Sequence, residues 1–298
     1  MSASRRLCSW LLWPGSILLI GAVAAGLYWL IFQPVDSGGY SVHRQVHWHL
    51  VVRNQSAEAL RDVEVLSFIP HSLTWQQSLA QVSANYPVTI DTDDKSQPSG
   101  RILLDVIPPY GQRELLLQAE LKMANHHTNR EEAALTTMLE PEPLIESDNE
   151  EIIALAQRLQ RAEAAETAVA IYDWLVAEVD YDGYDPVDRG ALYALEQRKG
   201  DCSEYAALAV ALARALGLPA RLVNGYRVPD SGRLEPFAFH AWAEIYLDGR
   251  WLILDAQERR FDPSPENYLV THYGTSEARQ TDWIRFHSPE SRISIEMR

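Results

Sequence analysis

Cysteine is scarce in this chain: 298 residues contain two, Cys8 and Cys202. They lie at opposite ends of the organisation read below, so an intramolecular disulfide is not expected and Cys202 should be a free thiol. Positive charge is also short, with 26 Lys and Arg against 41 Asp and Glu and a formal net charge of −15. Nucleic-acid binding is excluded on that ground, because holding phosphate requires clustered Lys and Arg that release counterions. Acidity of this kind keeps a protein soluble. There is no internal repeat and no low-complexity segment. Apolar residues make up 47% of the chain, which is enough for one large domain or two ordinary ones.

The N-terminus carries an address. Arg5 and Arg6 precede "WLLWPGSILLIGAVAAGLYWLIF", Trp10 to Phe32, which holds no charged residue. Such a run spans a bilayer as a helix. Arginines before it and an acidic chain after it predict residues 1–9 as a cytoplasmic tail, 10–32 as a signal-anchor helix in the inner (plasma) membrane, and the rest as periplasmic or extracytoplasmic. Trp10, Trp13, Tyr28 and Trp29 sit toward the ends of the run, where interfacial aromatics belong. Ala22-Val23-Ala24 offers a small-residue cleavage site, but the apolar run continues past it to Phe32, which favours an uncleaved anchor.

Residues 40–140 read as strands. "VHWHLVV" alternates Val46, Trp48, Leu50 and Val52; "LRDVEVLSFIP" and "RILLDVIPP" follow; "RELLLQAELKM" alternates Leu115, Leu117, Ala119 and Leu121. Short strands punctuated by Pro, Gly, Asn and Asp predict an all-β sandwich of immunoglobulin-like size. His47 and His49 share a strand face there, but no third ligand is near and no metal is expected.

Helices begin beyond "EPEPLIESDNE", opening a second domain at 145–298. Ser147 with Glu150 fits a capping box before Ile152, Ile153, Leu155 and Leu159. Thr167 to Val179 is amphipathic, and a short helix is expected around Ala191 to Gln197. Between them, Asp180, Asp182, Asp185 and Asp188 invite a calcium reading. The spacing is not that of a twelve-residue calcium loop, so a solvated turn is preferred and no cofactor is expected.

The stretch from Cys202 to Leu216 is rich in Ala and Leu and stops at Gly217, with Pro219 just beyond. Asp201 is a good N-cap, which leaves Cys202 at the first helical position, where free amides and the helix dipole favour thiolate over thiol. A buried structural cysteine is the competing reading, and position alone does not separate the two. A base decides. In "FHAWAEIYLDGRWLILDAQ", Asp248-Gly249 between two strand-like runs signals a two-residue hairpin. Leu247 then pairs with Arg250 and Trp242 with Asp255, so Asp255 falls one diagonal step from His240 on the same face. The opposite face, Ala241, Ala243, Ile245, Leu247, Leu252, Leu254 and Ala256, is wholly apolar, so one register separates a packing face from a chemical one. Cysteine as nucleophile, imidazole as base and carboxylate as the group that fixes the imidazole form a complete set for acyl transfer. The Cys202 amide would face the oxyanion. Tyr181, Tyr184 and Trp242 are candidates for the second donor or for a substrate rim, and equally for ordinary core or rim aromatics.

"KGDCSEYAALAVALARALGLPARLVNGY" and "HAWAEIYLDGRWLILDA", in this order and spacing, resemble the transglutaminase-like superfamily of papain-like cysteine enzymes over about residues 165–256. The resemblance implies an α+β fold, with a Cys-bearing helix packed on an antiparallel sheet, and a thioester acyl-enzyme. The family's triad falls on Cys202, His240 and Asp255. It leaves open whether the substrate is a Gln carboxamide or a peptide amide of a protein or peptide, and whether the acceptor is an amine or water. The competing reading is a non-catalytic module that uses the same fold to bind an envelope partner. An intact trio weighs against it.

Overall fold

A computed structural model describes residues 39–91, 98–127, 135–275 and 285–298. The expected signal-anchor helix at 10–32 lies outside these residues, and among them no helix is long and apolar enough to cross a membrane.

The alternation in Tyr40–Asn54 becomes one long strand whose Val46, Trp48, Leu50 and Val52 point inward. It pairs antiparallel with Gln112–Ala124, which contributes Leu115, Leu117, Ala119 and Leu121 to the same interior, and Gln77–Ala84 extends the sheet beyond. A second antiparallel sheet joins Leu60–Phe68, Ser99–Ile107 and Val88–Asp91. Its Val63, Val65, Phe68, Ile102 and Leu104 meet the first sheet's apolar residues in one core. Trp48 stacks on Phe68 with ring centroids 4.9 Å apart, and its buried indole N–H donates to Ser67 Oγ at 3.0 Å.

Among the described residues after 145 there are four α-helices and a third sheet. The helices are α1 (Glu150–Leu159), α2 (Ala164–Glu178), α3 (Gly190–Gln197) and α4 (Cys202–Ala215). The sheet runs Arg260–Phe261, Arg250–Asp255, Phe239–Leu247, Ala220–Arg227, Tyr268–Tyr273 in spatial order. Helix α4 is buried on every side from Glu204 to Arg214, because α1, α2 and α3 cover the flanks that the sheet leaves free. That explains its Ala-rich sequence: small side chains let helix and sheet approach closely while keeping high helix propensity. One correction concerns α1. Its cap is Asn149, whose side chain accepts from the amides of Glu151 and Ile152, not the expected Ser147–Glu150 box. Asn caps as well as Ser and stands next to the first turn, whereas Ser147 is buried ahead of it.

The C-terminal segment ties the sheets together. Phe286–His287 pairs with Leu60–Phe68, and Ile293–Met297 pairs with Tyr40–Asn54. Tyr226, Val228, Leu234 and Leu269 from the later part of the chain reach into the core of the first two sheets. Residues Gly39 to Arg298 accordingly make one compact unit.

Gly225 occupies the tightest point of the third sheet, between His240 on one neighbouring strand and Val270 on the other. A β-carbon there would lie 1.9 Å from the Leu269 carbonyl oxygen and 3.1 Å from the Trp242 ring. Because backbone cannot yield as a flexible side chain can, Gly225→Ala should cost about 3 kcal/mol of stability. A urea midpoint equal to that of the wild type would contradict this.

Candidate active site

The hairpin is built as its sequence predicts. Asp248 and Gly249 both have positive φ, 51° and 83°, as a tight two-residue turn requires. Leu247 faces Arg250, and the ladder runs down to Ala243 facing Leu254. All seven apolar residues of one face enter the core beneath the helices. On the other face His240 Nε2–H donates to Asp255 Oδ2 at 2.9 Å, both groups being buried. Nδ1 is the ring nitrogen that this bond does not engage.

Cys202 is the first residue of α4 and a half-buried free thiol. The helix start is fixed by a reciprocal capping box: Asp201 accepts from the Ser203 amide at 2.8 Å, and Glu204 Oε2 accepts from the Asp201 amide at 2.9 Å. Glu204 is fully buried beside the Arg189 guanidinium, at 3.0 Å. Burial raises the Glu204 pKa against the hydrogen bonds from Arg189 and Asp201 that hold it down. Burial also opposes charge on His240. Hydrogen bonds to Asp255 and Cys202, with the charges they carry, overcome it and push the imidazole up to about 10. The imidazole is therefore held by the carboxylate and favoured in its charged form, with Cys202 among the groups that act on it.

The aromatic candidates separate. Tyr181 is half exposed beside the site; burial raises its phenol pKa first, and the charges of Cys202 and Asp201 add to it. Tyr184 is largely exposed in the neighbouring loop. Trp242 is buried, with its ring against His240 and Tyr268 and its N–H directed to Glu244 Oε1 at 3.3 Å. That N–H is thus engaged within the core.

In the acidic loop, Asp182 meets Arg189 at 3.5 Å and Lys199 at 3.4 Å, and the Asp185 amide donates to Asp201 Oδ2 at 3.1 Å. His49 lies 3.5 Å from Glu114. Among the described residues no group of three or more His, Cys, Asp or Glu is arranged to hold a metal ion.

Two site residues escape the sequence reading. Tyr268 donates its hydroxyl to Asp255 Oδ2 at 2.8 Å, the oxygen His240 also uses. Glu244 lies fully buried on the histidine face of the hairpin, paired with Arg221 at 2.8 Å and accepting from Trp75 Nε1 at 3.1 Å. Its signal was present: an acidic residue two positions from Trp242 must find partners once that face is covered. Tyr268 gave none, since its strand joins the sheet beside Ala220–Arg227, far away in sequence.

Residues 153–256 match the model of the transglutaminase-like superfamily. A crystal structure named "Putative Cysteine Protease" from Cytophaga hutchinsonii superposes with a TM-score of 0.57 at 19% identity, covering 86% of this chain and 92% of its own, and so shares the fold. The periplasmic domain of TgpA from Pseudomonas aeruginosa aligns with a TM-score of 0.38 at 18% identity, over 68% of this chain and 88% of that one. The uncharacterized protein ML0607 of Mycobacterium leprae (strain TN) is 28% identical over 131 residues, which are 42% of this chain and 44% of that relative.

Asp255→Asn tests the electrostatics. Without the carboxylate charge, burial dominates and the His240 midpoint should fall by about one pH unit or more, read by NMR of nitrogen-15-labelled histidine. An unchanged midpoint would contradict the assigned cause.

Proposed function

From the premise that residues 153–256 form a transglutaminase-like domain, we propose that the protein is a membrane-anchored thiol enzyme of the cell envelope. It attacks a Gln carboxamide or a peptide amide of a protein or peptide substrate. The observation that supports this reading is the buried His240–Asp255 pair, 2.9 Å apart, with Cys202 at the start of α4 among the groups that raise the imidazole's pKa. The envelope location rests on the charge asymmetry around residues 10–32.

The Cys202 thiolate adds to the carbonyl carbon, and the oxygen takes the negative charge beside the Cys202 backbone amide at the mouth of α4. Tyr181, exposed next to the thiol, is the better placed of the aromatic candidates for a second donor or a substrate rim, since the Trp242 N–H is held by Glu244. The tetrahedral adduct collapses with cleavage of the C–N bond, and His240 gives its Nδ1 proton to the departing amine or ammonia. A thioester remains on Cys202. His240, now neutral, takes a proton from an incoming amine or water as it attacks the thioester, and collapse restores the thiolate and imidazolium. Asp255 accepts from Nε2 throughout and keeps the ring oriented. No metal or cofactor enters this scheme.

The test uses casein with a fluorescent primary amine as acceptor, followed by amine incorporation and by new carboxylates and chain ends. Cys202→Ala should reduce both products to background and abolish any adduct on residue 202 while leaving the unfolding midpoint near that of the wild type. A Cys202→Ala protein with full activity would overturn the proposal and favour the binding module.

A further inference from the structure

Among the polar clusters of the described residues that the proposed reaction leaves unused are buried Glu244 with Arg221, part-buried His127 with Asp262 and Arg250, and buried Tyr268 on Asp255. The first two are joined to core aromatics and to one another's neighbourhood through Trp75, and they touch no reacting group. The third touches the triad itself.

Tyr268 opens the edge strand Tyr268–Tyr273, which pairs with Ala220–Arg227 and is separated from the strand of Asp255 by two others. Its ring packs edge-on against Trp242 with centroids 5.0 Å apart, and both are buried. Between them lies Gly225, a residue that puts no side chain on the face that Tyr268, Trp242 and His240 share. The phenol crosses that face and ends on Asp255 Oδ2, 2.8 Å away, where His240 Nε2 also arrives at 2.9 Å. The other carboxylate oxygen accepts from the Glu258 amide at 3.3 Å. Asp255 is thus held at both oxygens, and one of them is shared between a neutral donor and the catalytic base.

We propose that Tyr268 is a positioning residue of this site: its hydroxyl fixes the orientation of the Asp255 carboxylate and draws off part of the charge that faces His240. The inference rests on the reading of Cys202, His240 and Asp255 as the reacting set. Two donors on one oxygen divide its negative charge, so each bond is weaker than it would be alone. Without the phenol, the whole charge of Oδ2 faces the imidazole, and the imidazolium holds its proton more tightly. Tyr268 therefore keeps His240 basic enough to form an ion pair with the thiolate, yet able to release its proton to a leaving amine. Burial and the Asp255 charge keep the phenol's own pKa raised, so it remains a donor throughout the working range. The charged and titratable groups acting on these residues are Cys202 and Asp255 around His240, and Asp255, Arg227 and Arg260 around Tyr268.

The measurement is the titration of His240 in the full-length protein, labelled with nitrogen-15 histidine and assigned by difference against His240→Gln. Tyr268→Phe keeps the ring and its packing on Trp242 and removes only the hydroxyl. Its His240 midpoint should lie about half a pH unit or more above that of the wild type. A midpoint that is unchanged or lower overturns the proposal. Should Tyr268→Phe not fold, 3-fluorotyrosine introduced at position 268 keeps the bond and makes the hydroxyl a stronger donor, and the midpoint should move down. A merely structural tyrosine would move neither. The enzyme reading fails separately, if Cys202 of the wild type reacts with iodoacetamide as an ordinary thiol whether or not His240 is present; the histidine titration decides the role of Tyr268 in either case.

Discussion

An imidazole and a carboxylate buried together must meet within hydrogen-bond reach, or each carries an unpaid desolvation cost of several kcal/mol. Here that meeting is set by a two-residue turn that starts eight positions after His240 and ends six before Asp255. With Asp248 and Gly249 both in the left-handed region, the register of the hairpin admits no slip. A shift by one residue would turn His240 and Asp255 toward the helices and expose Ala243, Ile245, Leu252 and Leu254 in their place. The apolar face therefore enforces the chemical one, and the core beneath α4 is what keeps the imidazole in place.

The thiol is placed by a different constraint. Helix α4 lies against the apolar face of the hairpin, and its N-terminus is fixed by the Asp201–Glu204 capping box. Glu204 is buried, so the box stands only because Arg189 supplies a guanidinium from the preceding loop. The Asp182 and Asp185 carboxylates then gather around that same arginine. What reads in the sequence as an acidic turn is, in the folded chain, the wall that positions the mouth of the helix. Gly225 closes the arrangement from the other side, since its missing side chain lets the strand of Tyr268 approach and the phenol reach Asp255.

The legible parts of the fold and site were those determined by local spacing. The period of two in Tyr40–Asn54 and Gln112–Ala124, the Asp-Gly turn, and the N-cap before Cys202 each involve residues within a few positions of one another, so elementary stereochemistry decides them. The contacts that were not legible are those between distant segments. Tyr268 meets Asp255 through an edge strand added out of sequence order. Trp75, from the first sheets' segment, enters the partner set of Glu244, 169 residues away. The strands Phe286–His287 and Ile293–Met297 pair with the first two sheets from the far end of the chain. Even the local reading erred where two capping residues competed, at Ser147 and Asn149, because burial of Ser147 decided between them.

The central claim is that Cys202 is activated by His240. The most direct measurement is the rate of iodoacetamide alkylation against pH, with the labelled residue mapped by mass spectrometry, for the wild type and for His240→Ala. The account predicts fast labelling of Cys202 well below pH about 8.5, the reference value for a free thiol, and its loss in the variant. Slow labelling that follows an ordinary thiol profile in both proteins would contradict it.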